Sequence, residues 1–96
     1  MLSKDDERRI SVYRDEIDAI DSQLLELLNR RAVRALEIGH IKKRNNEPIF
    51  VPDREKAVLT RLVQMNPGPL PGKSVEELFQ AIIEQMKRIE ESGSAR

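Results

Sequence analysis

Cysteine and tryptophan are missing from this sequence, and the absences narrow what it can be. Without Cys there is no disulfide framework and no thiolate metal cluster, and a single His, His40, cannot build a metal site or a Ser/His/Asp set. The lack of Cys also fits a reducing compartment. No apolar run approaches the ~20 residues that a membrane span needs, and no signal-peptide pattern opens the chain, so a cytoplasmic location is expected. Lys and Arg balance Asp and Glu at 17 each, which leaves no net field to recruit nucleic acid or an anionic membrane. Binding must therefore be local. Gly-rich phosphate loops, internal repeats and low-complexity tracts are absent as well. Aromatics are reduced to Tyr13, Phe50 and Phe79, while Leu, Ile, Ala, Glu, Lys and Arg dominate, which is the composition of an all-α chain. At 96 residues one domain is expected, with too little interior to be more than marginally stable alone.

What is present is one long helical pattern from Ile10 to Arg44. Read in sevens, one seam position carries Ile10, Ile17, Leu24, Arg31 and Ile38, and the position three residues later carries Tyr13, Ile20, Leu27, Arg34 and Ile41. A coiled-coil seam would stay apolar to its end. Here it turns cationic at Arg31 and Arg34, with Arg30 beside them, Arg14 and Lys42 on a flanking stripe, and Gly39 inside. That arrangement asks for a buried anion. The helix is expected to start within Ser3 to Glu7, capped by Ser3 or Asp5, with Met1 to Lys4 frayed. About 38 residues at ~1.5 Å rise make a rod near ~57 Å, against a diameter of ~32 Å for a compact globule of this length. The rod overhangs its own body, so its seam is expected to be covered by a second copy in an intertwined homodimer. The alternative, a break near Arg31 and a monomeric bundle, has no Pro or turn cluster to mark it.

Asn45 to Pro52 reads as a connector, followed by a helix from about Pro52 or Asp53 to Met65 with Val58, Leu59, Leu62 and Val63 on its apolar side. Asn66-Pro67-Gly68-Pro69 ends it. A third helix is expected to open at Ser74, with Glu77 completing a capping box. Its stripe of Val75, Leu78, Phe79, Ile82, Ile83 and Met86 leads to Glu90, which is either a helix end reaching water or a carboxylate held in a site. Residues 1–92 are thus expected to form the helical domain and 93–96 a flexible tail.

No metal cluster, nucleophile set or phosphate loop remains to carry chemistry. Fixed cations do: Arg14, Arg30, Arg34, Lys42 and Arg54, with Glu55 and Glu90 as acidic members. Arg suits bidentate capture of a planar carboxylate and Lys a point contact to one oxygen, so a small organic acid with two or three carboxylates fits. Arg34 is expected to pair with an acidic neighbour, Arg31 to do structural work, His40 to lie at the surface or pack, and Met86 can be read as core.

The motifs Tyr13-Arg14-Asp15-Glu16-Ile17-Asp18, Leu27-Leu28-Asn29-Arg30-Arg31, Glu37-Ile38-Gly39-His40-Ile41-Lys42, Pro52-Asp53-Arg54-Glu55 and Leu78-Phe79-Gln80-Ala81-Ile82-Ile83 resemble, in order and spacing, those of the all-helical chorismate mutases. The likeness is nearest to the mutase domain fused to prephenate dehydratase in many bacteria. It implies three helices per chain, an intertwined homodimer with shared active sites, chorismate as substrate, and no cofactor. Arg14 from the partner chain and Arg30 from the same chain would hold the two substrate carboxylates. Lys42 and Glu90 would donate to the ether oxygen, Arg54 would assist at a carboxylate, and Glu55 would accept from the ring hydroxyl. Val51 stands where the family often has Asp, and Met86 where a Ser often touches substrate. Fusion to a prephenate dehydratase domain in the full-length protein is a further expectation, with an independent mutase as its alternative.

Conversion of chorismate to prephenate breaks a C–O bond as a C–C bond forms, within one molecule, so orientation and a donor to the ether oxygen are sufficient. To donate, Glu90 must carry a proton, which an apolar stripe favours and Lys42 opposes. Two other functions compete: isochorismate pyruvate lyase, which shares the fold and the cations, and a non-catalytic helical dimer acting as an interaction or regulatory module.

Overall fold

A computed structural model describes residues 1–93 as three helices, α1 (Lys4–Arg44), α2 (Pro52–Met65) and α3 (Gly72–Ser92). By its internal contacts the chain divides into two units, residues 1–31 and residues 32–96. The boundary falls inside α1.

The first unit is the opening of α1. Its start is set by Ser3, whose Oγ accepts the Asp6 N–H at 3.1 Å and whose carbonyl accepts the Glu7 N–H at 3.0 Å. Lys4 is therefore the first helical residue and not part of a frayed end. Asp5, Asp6 and Glu7 in the first turn, and Lys42, Lys43 and Arg44 in the last, complement the helix dipole. No Pro or turn interrupts the 41 residues of α1, so the break considered near Arg31 does not occur. Within residues 1–31 the apolar seam is left open: Ile17, Ile20, Leu24 and Leu27 are each about half exposed.

In the second unit the buried side of α1 is not the seam that the sequence advertises. Ile38 and Ile41 are exposed, whereas Ala32, Ala35 and Gly39, one position round, are buried and Lys42 is half-buried after them. Small residues at these positions let α3 come close, and Met86 packs against Ala32 and Ala35 with Ile82 and Ile89 alongside. Gly39 marks the nearest approach. A Cβ there would stand 2.7 Å from the Glu90 carbonyl oxygen and 2.8 Å from the Glu90 Cα.

α2 begins at Pro52, a residue whose missing N–H costs nothing in a first turn. The Val51 carbonyl accepts the Arg54 and Glu55 N–H groups at 3.1 and 3.2 Å. α3 starts two residues before the expected capping box. Pro71 is its N-cap, its carbonyl receives the Val75 N–H at 3.1 Å, and no side chain caps it, so Ser74 lies inside the helix. Of the stripe on α3, Val75, Ile83 and Met86 are buried, Phe79 and Ile82 are half-buried, and Leu78 is exposed. Gly93 closes α3 in the left-handed conformation at φ 66°, with its N–H on the Ile89 carbonyl at 3.0 Å. The first residue of the expected tail is thus the helix cap; residues 94–96 lie outside the described residues.

Candidate active site

Lys42 and Glu90 meet where α1 and α3 approach over Gly39. Their side chains are 22% and 13% exposed and Lys42 Nζ lies 3.5 Å from Glu90 Oε1, so Glu90 is a held carboxyl group and not a helix end in water. Lys42 Nζ also donates to the Ile49 carbonyl at 3.0 Å, which ties the connector before α2 to the same point. The ion pair is not a hydrogen bond. Glu90 Oε1 is buried and has no hydrogen-bond partner among the described residues. Such an oxygen retains an unused acceptor site beside the Lys42 ammonium.

A second cluster, which the sequence reading missed, stands one turn back along α3. Lys87 Nζ lies 3.3 Å from Glu55 Oε2 on α2 and 3.0 Å from Glu84 Oε2 on α3, and 4.5 Å from the centroid of the Phe50 ring. Its side chain is 18% exposed. The ammonium is held above its ordinary value, first by the hydrogen bond to Glu84. Partial desolvation opposes that rise, and the hydrogen bond to Glu55 adds to it. A signal was available: Lys87 interrupts the stripe between Met86 and Glu90, but attention to apolar positions passes over it.

The other residues singled out from sequence fall as follows. Arg14 and Arg30 are exposed side chains of residues 1–31. Arg54 and Val51 are exposed at the start of α2. Met86 is buried in the α1–α3 core, the packing role that was its alternative reading. Arg34 pairs with Glu37 at 3.1 Å, as expected. Arg31 is half-buried. His40 lies at the surface with Nε2 3.4 Å from the Gly93 carbonyl. A cleft of about 590 Å³ is lined by Phe50, Glu55, Leu59 and Val63 among others; it includes neither Lys42 nor Glu90.

Residues 13–91 match the family model described as chorismate mutase type II. The chain belongs to that family. Among the type II chorismate mutases and their fusions, it is 41% identical over 78 residues to a bifunctional chorismate mutase/prephenate dehydratase of Neisseria gonorrhoeae, covering 81% of this chain and 21% of the relative. The corresponding bifunctional protein of Aquifex aeolicus is 39% identical over 74 residues, with coverage of 73% and 20%. The chain thus spans about a fifth of the length of these curated relatives. Among solved structures, a chorismate mutase of Thermus thermophilus aligns with a TM-score of 0.85 at 34% identity, covering 86% of this chain and 94% of that one. A chorismate mutase of Helicobacter pylori in complex with prephenate aligns at 0.83 with 31% identity, covering 90% and 93%. The all-α architecture expected from sequence is the one these mutases share. No helix among the described residues is long and apolar enough to cross a membrane.

Proposed function

We propose that this chain is a chorismate mutase that works as a homodimer, binding chorismate and releasing prephenate. The observation that carries the reading is the Lys42–Glu90 pair, two polar groups kept together in a largely dry place at the meeting of two helices. A unimolecular rearrangement needs no nucleophile, base or cofactor from the protein. What accelerates it is an environment better matched to the transition state than to the bound substrate. As the C–O bond breaks, negative charge grows on the ether oxygen. Lys42 meets that charge with a fixed ammonium, held in place beside Glu90. Low local water makes that donor worth more than it would be at the surface.

Orientation is the other half. Cationic side chains hold the two carboxylates so that the enolpyruvyl arm lies over the ring, and family resemblance assigns Arg14 of the partner chain to one of them. Support for the second copy comes from the open stripe of Ile17, Ile20, Leu24 and Leu27, an apolar surface that a monomer has no reason to display. For the own-chain carboxylate the resemblance points to Arg30, but helix spacing favours its neighbour. Eleven residues of α-helix return position 31 to within ~20° of Lys42, while position 30 is ~120° round. Arg31 is also half-buried where Arg30 is exposed. Arg31→Ala is accordingly expected to lower kcat/KM about 10²-fold and Arg30→Ala only a few-fold, since a charged grip removed from a dry site costs about 1.5–3 kcal/mol. The reverse order in steady-state kinetics returns the role to Arg30.

The direct test is loss of chorismate absorbance in the presence of the purified protein.

A further inference from the structure

Lys87 is a cation on the inward side of α3 with more partners than a surface ion pair requires. It is three residues before Glu90, so on one helix the two side chains are neighbours. Its ammonium is shared between Glu55 on α2 and Glu84 on α3, and it lies over the Phe50 ring at the end of the connector that Lys42 also grips. An apolar residue at this position would close the α2–α3 contact without desolvating a charge. What the charge adds over such a residue is a hold on the Glu55 carboxylate. The contact runs to one carboxylate oxygen of Glu55, Oε2, which leaves Oε1 to accept from elsewhere.

We propose that Lys87 is a positioning residue: it fixes the Glu55 carboxylate on α2 by one oxygen, so that the other stands ready as acceptor for the ring hydroxyl of the substrate. The inference rests on the chorismate mutase reading and on Glu55 as the hydroxyl acceptor. Glu55 by itself is a flexible side chain on the first turns of α2, with several rotamers open to it. Pinned by an ammonium that is itself held by Glu84 and the Phe50 face, it keeps one of them. The hydroxyl takes no part in the bonds made and broken, so its contact is the same in substrate and transition state. Its loss should thus appear in KM and leave kcat nearly unchanged.

Steady-state kinetics on Lys87→Met and Lys87→Arg tests this. Lys87→Met keeps the stem and deletes the charge; its KM for chorismate is expected to rise about tenfold with kcat within twofold of the parent. Lys87→Arg keeps a cation for Glu55 and is expected to restore most of the affinity. In a Glu55→Gln background, Lys87→Met should add less than a further twofold, because the group it positions is already gone. A chorismate analogue without the ring hydroxyl, used as a competitive inhibitor, should bind Lys87→Met and the parent equally. A merely structural Lys87 would weaken the analogue and chorismate in parallel. An unchanged KM in folded Lys87→Met, penalties that multiply in the double variant, or parallel loss of the analogue would each overturn the proposal. If Lys87→Met does not fold, as judged by circular dichroism, Lys87→Gln carries the same comparisons. A parent protein with no effect on chorismate would instead overturn the mutase reading, and this one with it.

Discussion

Replacing Lys42 by Ala is expected to reduce kcat by about 10²–10³-fold, the usual result of deleting one fixed donor to a developing oxyanion. Two losses combine in that figure. The ammonium proposed to meet the ether oxygen disappears, and the Glu90 carboxyl, now without its cation, is left buried beside an apolar gap. The Ile49 carbonyl also loses its donor, so the connector before α2 is freed at one end. Circular dichroism should still report a helical protein, because Lys42 is half-buried near the end of α1 and outside the Ala32–Ala35–Met86 core. The same variant gives a test of subunit sharing. Arg14→Ala should be similarly inactive alone, and after unfolding and refolding the two variants together, half the dimers should be mixed. Each mixed dimer then holds one site with both residues intact, so about a quarter of parental activity should return. No recovery would mean that Arg14 and Lys42 serve one site from the same chain.

Gly39→Ala is expected to destabilise the protein and to slow it, although the substitution looks favourable on helix propensity. Alanine within a helix gains ~1 kcal/mol over glycine. Against that gain, the added methyl would come within 3.0 Å of the Glu90 carbonyl oxygen and Cα, which are backbone atoms and cannot swing aside. The two helices must separate, at an overpacking cost of about 1–3 kcal/mol. The net loss, up to ~2 kcal/mol, corresponds to a fall of up to roughly 8–16 °C in Tm. Activity should suffer more than stability, since the residue pushed away is the partner of Lys42 in the proposed site, and a displacement of ~1 Å at a reacting centre can cost ~10² in rate. A Gly39→Ala protein with raised Tm and parental kcat would show that α3 has slack there.

The helices were legible because periodicity, proline and turn residues are local signals. α2 runs from Pro52 to Met65 as the Pro and the Asn-Pro-Gly-Pro sequence dictate. The start of α3 was misplaced because Ser74 and Glu77 imitate a capping box, while the actual cap, Pro71, offers a carbonyl and no side chain. The greasy seam of α1 drew attention away from Ala32, Ala35 and Gly39, which bury little area but decide how near α3 can come. Glu90 was recognised as the odd carboxylate on an apolar stripe, and its pairing with Lys42 followed from family register, not from the spacing. Lys87 was invisible for a different reason. Its partners, Glu55 and Phe50, are more than thirty residues away along the chain, and only tertiary structure brings an α2 carboxylate and a connector ring to it.

The half-exposed stripe of Ile17, Ile20, Leu24 and Leu27 has a practical bearing on how this protein should be handled. If a second copy covers it, as proposed, folding and association become one equilibrium, and the melting temperature should rise with protein concentration. Dilution toward the dissociation constant should then unfold the molecule as well as separate it. Specific activity would fall at the low enzyme concentrations that ordinary rate assays favour.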